Sequence, residues 1–212
     1  MSVIRGVIVD FGGVLVMPPS PDALARLHAI GGFDDADAFL SSWRRHRLSY
    51  DVGEISADAY WRLVGSEGEQ DYDSAILARL CAEDAACWAV PNTAVVAWLE
   101  VLKAAGLRLA LLSNIPREQW AAIKDGLDWL SLCDVVALSY ELGIAKPNPG
   151  VYRWCLDQLS LAPGEVIFVD DQPDNVAAAA GLGMNALLFT TVAELRRALA
   201  AHFDGVPPPA AT

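Results

Sequence analysis

The stretch VIVDFGGVLV, residues 7–16, places one acid, Asp10, directly after an apolar run and just before two glycines. An acid in this position can be a simple turn residue, because Asp and Gly are common where strands stop. In an open sheet of parallel strands, however, ligands bind beyond the carboxyl ends of the strands, which is where Asp10 would lie. The stretch therefore predicts either a turn or the edge of a functional site.

Five apolar runs recur along the chain at helix-length intervals. They are VIRGVIV, LRLALL, DVVALS, EVIFV and NALLF, at residues 3–9, 107–112, 134–139, 165–169 and 185–189. Runs that are apolar on both faces indicate strands of a buried parallel sheet. Prolines near first turns and glycines after last turns favour helices at residues 92–105, 116–127, 149–159, 173–182 and 192–201. The alternation predicts an α/β protein with a doubly wound, Rossmann-like parallel sheet.

The segment after the first strand has a different pattern. Residues 18–90 contain no convincing strand, and amphipathic stretches predict helices at residues 21–30, 35–47, 57–64 and 74–88. The prolines of MPPS and Pro91 break regular structure where the chain leaves and rejoins the sheet. We therefore expect a core domain of residues 1–17 and 91–205, an all-helical cap domain of residues 18–90, and a mobile tail of residues 206–212.

Composition limits the classes of partner. The chain has 212 residues, 54% of them hydrophobic, and a formal net charge of -12, which disfavours nucleic acid and anionic membranes as partners. The apolar start is too short for a membrane span and lacks the features of a signal peptide, so we expect a cytoplasmic protein. Four scattered cysteines and three histidines show no metal-ligand spacing, so oxygen must hold any metal. Whether the chain is a monomer or a homodimer stays open.

Polar residues follow four of the predicted strands. They are Asp10, Ser113 with Asn114, Lys146, and Asp170 with Asp171. Each has an ordinary explanation as a turn, a helix cap or a solvated charge. In a parallel sheet, however, all of them would lie at one edge, where Asp10 and Asp171 would repel each other without a hard cation such as Mg²⁺. Ser113 and Lys146 would supply a hydroxyl and a positive charge to a phosphoryl group. The combination predicts a site for phosphate and a divalent metal.

The ordered motifs D-x-G-G-V, S-N, K-P and D-D, with a helical insertion after the first, resemble the haloacid dehalogenase superfamily with a C1-type cap. The stretches LSYELGIAKPNPGVY and VIFVDDQPDN are similar to one branch of it in particular. That branch contains bacterial alpha-glucose-1-phosphate phosphatase and the N-terminal phosphatase domain of soluble epoxide hydrolases. The resemblance implies a hydrolase that acts on small phosphorylated substrates.

The resemblance also implies roles for the strand-end residues. The nucleophile corresponds to Asp10, which attacks phosphorus and forms an aspartyl-phosphate that water hydrolyses. Mg²⁺ would be held by Asp10, the backbone carbonyl of Gly12 and Asp171, while Asp170 would orient metal-bound water. The residues that would clamp the phosphoryl oxygens are Ser113, Asn114 and Lys146, and Lys146 would also be catalytic.

One position departs from the pattern of the superfamily. Most of its phosphatases carry a second Asp two residues after the nucleophile as general acid and base, but this chain has Gly12. Loss of such help typically lowers rates by about 10²- to 10⁴-fold. Three explanations stay open: a good leaving group such as an anomeric sugar oxygen, a substitute residue from the cap, or a weak or lapsed catalyst. The resemblance to the sugar-phosphate phosphatase branch, whose members tolerate Gly here, favours retained activity.

The cap segment WRRHRLSYDVGEIS, residues 43–56, is the densest cluster of polar and aromatic residues in the cap. His46 has an intrinsic pKa suited to proton transfer but can equally be a solvated surface group. Trp43 and Tyr50 either stack on a sugar or pack within the cap. The neighbouring arginines either attract an anionic substrate or balance local acids. These residues are the candidate cap contacts.

Two alternatives to a phosphatase stay open. In a hydrolytic 2-haloacid dehalogenase the same carboxylate attacks carbon, so Gly12 is no handicap. That reaction needs no metal, however, and the dehalogenase branch usually lacks the pair Asp170 and Asp171. The other alternative is a non-catalytic phosphate-binding protein that keeps Asp10 and the metal but does not turn over.

Overall fold

The computed structural model of the chain describes residues 3–210, and its centre is a parallel sheet of five strands. The strands are β1 (Gly6–Val9), β2 (Arg108–Ser113), β3 (Val135–Leu138), β4 (Val166–Asp170) and β5 (Asn185–Leu188). Their order across the sheet is β3-β2-β1-β4-β5, and every neighbouring pair is parallel. The doubly wound α/β fold predicted from the apolar runs is confirmed, and the carboxyl ends of all five strands lie at one edge.

Helices connect the strands and cover both faces of the sheet. They are α6 (Thr93–Ala104), α7 (Arg117–Ile123), α8 (Ser139–Leu142), α9 (Pro149–Leu159), α10 (Pro173–Gly181) and α11 (Val192–His202). Pro149 and Pro173 occupy the first turns of α9 and α10, where a missing N–H costs no helical hydrogen bond. One apolar cluster lies on each face of the sheet, because side chains along a strand alternate between the faces.

Five helices lie between β1 and α6. They are α1 (Pro21–Gly31), α2 (Ala36–Arg45), α3 (Arg47–Asp51), α4 (Ala57–Ser66) and α5 (Ser74–Ala86). Four of them begin at a Ser or Asp whose side chain accepts a hydrogen bond from a backbone N–H of the first turn. Their buried side chains form a third apolar cluster, separate from the two on the sheet. None of the helices within residues 3–210 has the length and apolar character that a membrane crossing requires.

The predicted helix over residues 35–47 is wrong in one respect, since the helix stops and restarts at His46. The backbone of His46 is not helical, so α2 ends at Arg45 and α3 begins at Arg47. The break changes which face each following side chain occupies. It bears directly on the candidate cap contacts described below.

Two chain segments join these helices to the sheet, and they run side by side. The Met17 N–H donates to the Val90 carbonyl at 2.8 Å, and the Asn92 N–H donates to the Leu15 carbonyl at 2.9 Å. Val16 and Pro91 pair as an isolated antiparallel bridge between the same segments. The five helices α1–α5, which we call the cap, are therefore held next to the end of β1.

The end of the chain differs from the expected mobile tail. Val206 is buried against the sheet cluster, and the Pro207 carbonyl accepts a hydrogen bond from Trp98 Nε1 at 2.7 Å. The Pro209 carbonyl accepts from the Arg196 guanidinium. The prediction rested on composition, which does not show that apolar Val206 finds a partner in the core. Residues 211–212 of the expected tail lie outside the described residues.

Candidate active site

A cavity of about 600 Å³ lies between the strand ends and the cap. From the sheet side it is lined by Asp10, Gly12, Ser113, Asn114, Lys146 and Asp171. From the cap side it is lined by Leu24, Trp43, Arg44, Arg47, Asp51 and the linker residue Trp88. The structure thus brings the residues that follow four different strands to one cavity, as expected of ligand sites in open α/β sheets.

The centre of the site is a buried lysine held between two carboxylates. Lys146 Nζ lies 2.6 Å from Asp10 Oδ1 and 2.7 Å from Asp170 Oδ2. Asp10 is anchored further by its own turn, since the Phe11 N–H donates to Asp10 Oδ1 at 2.6 Å. The side chains of all three residues are almost completely buried. The ammonium group therefore fixes the orientation of the Asp10 carboxylate.

Burial and charge act in opposite directions on these groups. Burial raises the pKa of Asp10 to about 7, although the ammonium of Lys146 acts to lower it. For Lys146, burial acts to lower the pKa, but Asp10 and Asp170 outweigh it and raise the pKa above its usual value. Lys146 consequently stays charged, and further positive charge near Asp10 would favour the carboxylate form of Asp10.

The two acids at the end of β4 have different environments. Asp170 is fully buried, and besides Lys146 its carboxylate accepts from the Gln172 N–H at 2.8 Å and from Asn175 Nδ2 at 3.0 Å. Asp171 is less buried, lines the cavity and accepts one hydrogen bond from Gln172 Nε2 at 2.8 Å. Asp170 is thus committed to holding Lys146, whereas Asp171 has oxygen lone pairs that face the cavity region.

The acids form a donor set that fits a hard cation. Oxygen atoms of Asp10, Asp170 and Asp171 lie within 4.8 Å of one another. Burial raises the pKa of Asp171, and Asp170 adds to the increase while Gln172 opposes it. Three carboxylates share the single ammonium of Lys146, which leaves an excess of negative charge. Carboxylate and carbonyl oxygens are the ligands that Mg²⁺ prefers, so the site can hold this ion.

The absence of a side chain at each of the two glycines that follow Asp10 is explained by a different close contact. Gly13 has φ of +79°, which favours glycine, and a Cβ there would lie 2.5 Å from Asp171 Oδ2. A Cβ on Gly12 would lie 2.9 Å from Cζ3 of the Trp88 indole ring. The turn can therefore pass close to Asp171 because Gly13 has no side chain, and the Trp88 ring can pack against the turn because Gly12 has none.

Ser113 and Asn114 are both at the end of β2, but the structure gives them different tasks. Ser113 is buried at the cavity wall. Asn114 uses its side-chain amide on the backbone of Lys146, donating to the carbonyl at 2.9 Å and accepting from the N–H at 2.8 Å. The amide therefore positions Lys146, and Asn114 also lines the cavity, so its predicted contact with a phosphoryl oxygen stays a prediction.

Of the three candidate cap contacts, the structure brings one to the cavity. Trp43 lines it. His46 instead binds Glu67 through Nε2 at 2.8 Å, outside the lining of the cavity. Tyr50 stacks on Tyr60 inside the cap, with ring centroids 4.5 Å apart. His46 and Tyr50 thus lie outside the lining of this cavity, and of the alternatives that the sequence left open the structure has the surface position for His46 and packing within the cap for Tyr50.

Sequence reasoning left open whether the cap arginines attract a substrate or balance local acids, and the structure shows that the largely buried Arg47 pairs with two acids on the cap wall. Arg47 Nε lies 2.8 Å from Asp51 Oδ1, and its Nη1 lies 2.8 Å from Asp84 Oδ2. Its Nη2 donates to Gln119, which belongs to α7 of the sheet domain. The spacing of Arg47 and Asp51, four residues apart on a helix, was a signal for one of these pairs. Nothing local in the sequence indicates Asp84 or Gln119.

The fold and the site define a class of protein, a doubly wound α/β protein with an aspartate at the end of its first strand. The model of one family, haloacid dehalogenase-like hydrolase, matches residues 4–183. The chain therefore belongs to the haloacid dehalogenase-like hydrolases, as the resemblance in the sequence predicted.

Similar proteins of this family include phosphatases and dehalogenases. The chain is 27% identical over 199 residues to a sesquiterpene phosphatase of Aspergillus oryzae, covering 91% of this chain and 95% of the relative. It is 25% identical over 217 residues to D-ribitol-5-phosphate phosphatase of Bacteroides thetaiotaomicron, covering 92% and 97%. It is 28% identical over 203 residues to (S)-2-haloacid dehalogenase 1 of a Pseudomonas species, covering 91% and 87%.

The relatives differ in length, and a solved structure supports the fold. The chain is 30% identical over 208 residues to mouse acyl-CoA dehydrogenase family member 10 but spans only 18% of its length. A magnesium complex of a HAD family enzyme from Bacteroides thetaiotaomicron superposes with a TM-score of 0.73 at 18% identity, over 89% of this chain and 94% of that one. At this identity the likeness shows the shared fold.

Proposed function

We propose that the protein is a Mg²⁺-dependent phosphatase that hydrolyses a small phosphomonoester, most simply a sugar phosphate, through an aspartyl-phosphate on Asp10. The observation that carries the proposal is Lys146, which lies 2.6 Å from Asp10 and faces the same cavity as Ser113 and Asp171. A carboxylate oriented by an ammonium group beside a hydroxyl donor suits attack on phosphorus.

The residues of this chain have complementary roles in that reaction. One Asp10 oxygen attacks phosphorus, the bond to the leaving oxygen breaks, and water then releases phosphate and regenerates Asp10. Lys146 and the Ser113 hydroxyl bind phosphoryl oxygens, while Asp170 and Asn114 keep Lys146 in place. Asp10, the Gly12 carbonyl and Asp171 would hold Mg²⁺. When bound, the ion would neutralise the carboxylates and the phosphoryl charge.

Relatives support this reaction and the metal. Two of the similar proteins are named as phosphatases, one of a sesquiterpene and one of D-ribitol-5-phosphate. A structural neighbour was crystallised with magnesium. The similarity to (S)-2-haloacid dehalogenase 1 favours hydrolytic dehalogenation as the second candidate function. The acid pair at the end of β4 argues against it, because a reaction without metal does not need the half-buried Asp171 at the cavity wall. Cytoplasmic location stays a prediction from the sequence, and the choice between monomer and homodimer stays open.

The test is phosphate release from sugar phosphates, nucleotides and an aryl phosphate, with and without Mg²⁺. We expect Mg²⁺-dependent release by the wild type and none above background by Asp10→Asn, whose circular dichroism spectrum should match that of the wild type. Near-wild-type activity of Asp10→Asn would contradict the role of Asp10. Halide release from 2-haloacids, with no phosphate release from any ester, would establish the dehalogenase instead. Mg²⁺-dependent binding of phosphate without turnover would identify a non-catalytic binding protein.

A second test addresses the metal through Asp171. We expect Asp171→Asn to weaken Mg²⁺ activation by about 10- to 100-fold in the concentration required, because a neutral amide is a poorer ligand than a carboxylate. Asp174→Asn is the matched control, since Asp174 lies on the first turn of α10 outside the cavity lining. An unchanged Mg²⁺ requirement in Asp171→Asn would place the ion elsewhere.

A further inference from the structure

We propose that Trp88 fills the space in which a general acid at residue 12 would lie. The substrates are therefore phosphate esters whose leaving oxygen is a weak base and needs little protonation as it departs. The inference rests on the proposed phosphatase function and names its substrate class: aryl, enol, anomeric or acyl phosphates rather than phosphates of simple alcohols. Gly12 and Trp88 then form one unit, in which the ring occupies the space that a side chain at residue 12 needs.

The contact between Trp88 and Gly12 is close and specific. A Cβ on Gly12 would lie 2.9 Å from Cζ3, 3.3 Å from Cε3 and 3.6 Å from Cη2 of the indole ring. A carboxyl group at this position extends beyond Cβ, so it would meet the ring even more directly. The ring cannot yield easily, because Trp88 packs against both the sheet cluster and the cap cluster.

The indole ring does not replace the missing acid. The atoms nearest to Gly12 belong to its carbon edge, which has no proton to give. The nitrogen lies on the other side of the ring system and is buried, with no hydrogen-bond partner within residues 3–210. Trp88 lines the cavity next to Asp10, so it presents an apolar surface close to the place where the phosphoryl group must bind.

Asp51 is the other carboxyl residue that could compete for the role. It lines the cavity from the cap, but its Oδ1 lies 2.8 Å from Arg47 Nε, and Arg47 is itself bound to Asp84. The carboxylate of Asp51 is thereby used to hold Arg47, which also donates to Gln119, so proton transfer from Asp51 to a leaving group would require this network to open. Asp171 and Lys146 are already assigned to metal and phosphoryl binding. The leaving group must therefore depart with little protonation.

The chemistry of the cavity walls agrees with this substrate class. Besides Trp88, the walls include the apolar side chains of Leu24, Trp43, Pro18 and Pro19. An aromatic or otherwise apolar leaving group would bury its surface against them. Arg44 is exposed at the same wall and can pair with a negative charge on the leaving group.

The first experiment needs no variant. Wild-type kcat/KM is measured with Mg²⁺ for aryl phosphates of graded phenol acidity, from para-nitrophenyl phosphate to phenyl phosphate, and for an alkyl phosphate. We expect a steep decline, of about 10²- to 10⁴-fold from the most activated aryl ester to the alkyl ester. A nearly level series in which activity is still lost in Asp10→Asn would overturn the inference but keep the phosphatase. No phosphate release from any ester would instead overturn the proposed function.

The second experiment reopens the position. Gly12→Asp alone should not gain activity, since Trp88 occupies the space. The double variant Gly12→Asp with Trp88→Ala should hydrolyse the alkyl ester at least tenfold faster than the single variant Trp88→Ala. Gly12→Asn with Trp88→Ala is the matched control, because Asn has the same shape but transfers no proton. Equal gains in both double variants would overturn the inference. Thermal unfolding identifies any variant that fails to fold.

The third experiment tests Asp51. Asp51→Asn should change the rates of aryl and alkyl esters by similar factors, because Asp51 has no part in proton transfer. A loss confined to the alkyl ester would make Asp51 the proton donor and overturn the inference. This measurement decides the question even if the Trp88 variants do not fold.

Discussion

Two cations lie at the walls of one cavity, Lys146 fully buried and Arg47 largely so, and each lies between two carboxylates. On the sheet side, Lys146 is within 2.7 Å of both Asp10 and Asp170. On the cap side, Arg47 lies 2.8 Å from both Asp51 and Asp84. The similarity ends there, because the two cations have different donor geometry and different further neighbours.

The carboxylates around Lys146 carry more negative charge than its ammonium group balances. A third carboxylate, Asp171, lies close to Asp10 and Asp170 and leaves an excess of negative charge for a cation to balance. An ammonium group is a compact point charge with three donors, so it can interact with a carboxylate and a phosphoryl oxygen at the same time. The sheet-side group therefore has the composition of a reaction centre.

The guanidinium group of Arg47 already has hydrogen-bond acceptors within the protein. The planar guanidinium uses its several donors on Asp51, Asp84 and Gln119, and the rings of Trp43 and Tyr50 lie within 6 Å of it. Gln119 is on α7, so the arginine joins the cap to the sheet domain. Under the proposed function, similar charge arrangements thus serve reaction on one wall and attachment on the other, because the group around Lys146 has a third carboxylate in addition to the two that bind its cation.

The largest effect should come from breaking the cap-side group. Arg47→Met leaves Asp51 and Asp84 buried without their cation, which we expect to lower the free energy of unfolding by about 3–5 kcal/mol. Arg44→Met, three residues earlier and exposed, should change it by no more than about 0.5 kcal/mol. Urea unfolding followed by circular dichroism measures both. A loss below about 1 kcal/mol in Arg47→Met would show that the acids do not depend on it.

Breaking the sheet-side group should instead affect turnover. Lys146→Met removes the charge that orients Asp10 and binds the phosphoryl group, so we expect kcat/KM for an aryl phosphate to fall by about 10²- to 10³-fold. Lys103→Met is the control, because Lys103 pairs with Asp134 on the surface, outside the cavity lining. Equal activities of the two variants would contradict the role of Lys146.

The smallest effect concerns pH and the charge of Asp51. Burial raises its pKa from 3.8 to about 6, although Arg47 opposes the change. The folded state then binds a proton more tightly than the unfolded state, so this contribution to stability is lost as pH rises from about 4 to about 6. We expect the free energy of unfolding of the wild type, minus that of Asp51→Asn, to fall by roughly 1 to 3 kcal/mol across this range. A difference that grows with pH would mean that Arg47 outweighs burial.

The sheet and its edge were predictable because they follow from local patterns. Apolar runs gave all five strands, and parallel strands necessarily bring their carboxyl ends to one edge. Asp10, Ser113 and Lys146 could therefore be expected to meet without knowledge of any contact. The division of labour between Asp170 and Asp171 was not visible in the sequence. The resemblance to the superfamily implied that Asp170 orients metal-bound water, whereas in the structure its carboxylate binds Lys146.

The cap side was less predictable because its contacts depend on how helices pack. The single non-helical residue His46 rotates the following side chains, so that Arg47 faces the cavity and His46 faces Glu67. Trp88 meets Gly12 across 76 positions only because the chain returns to the sheet beside the segment by which it left. No periodicity along the chain encodes such a contact.

The central claim is that Asp10 carries the phosphoryl group during turnover. The most direct measurement is acid quenching of the protein during hydrolysis of para-nitrophenyl phosphate with Mg²⁺, followed by intact-mass analysis and peptide mapping. We predict that the wild type gains one phosphoryl group, located on Asp10, and that Asp10→Asn gains none. Active hydrolysis with no phosphoryl group on the wild type, or with the group on another residue, would contradict the claim.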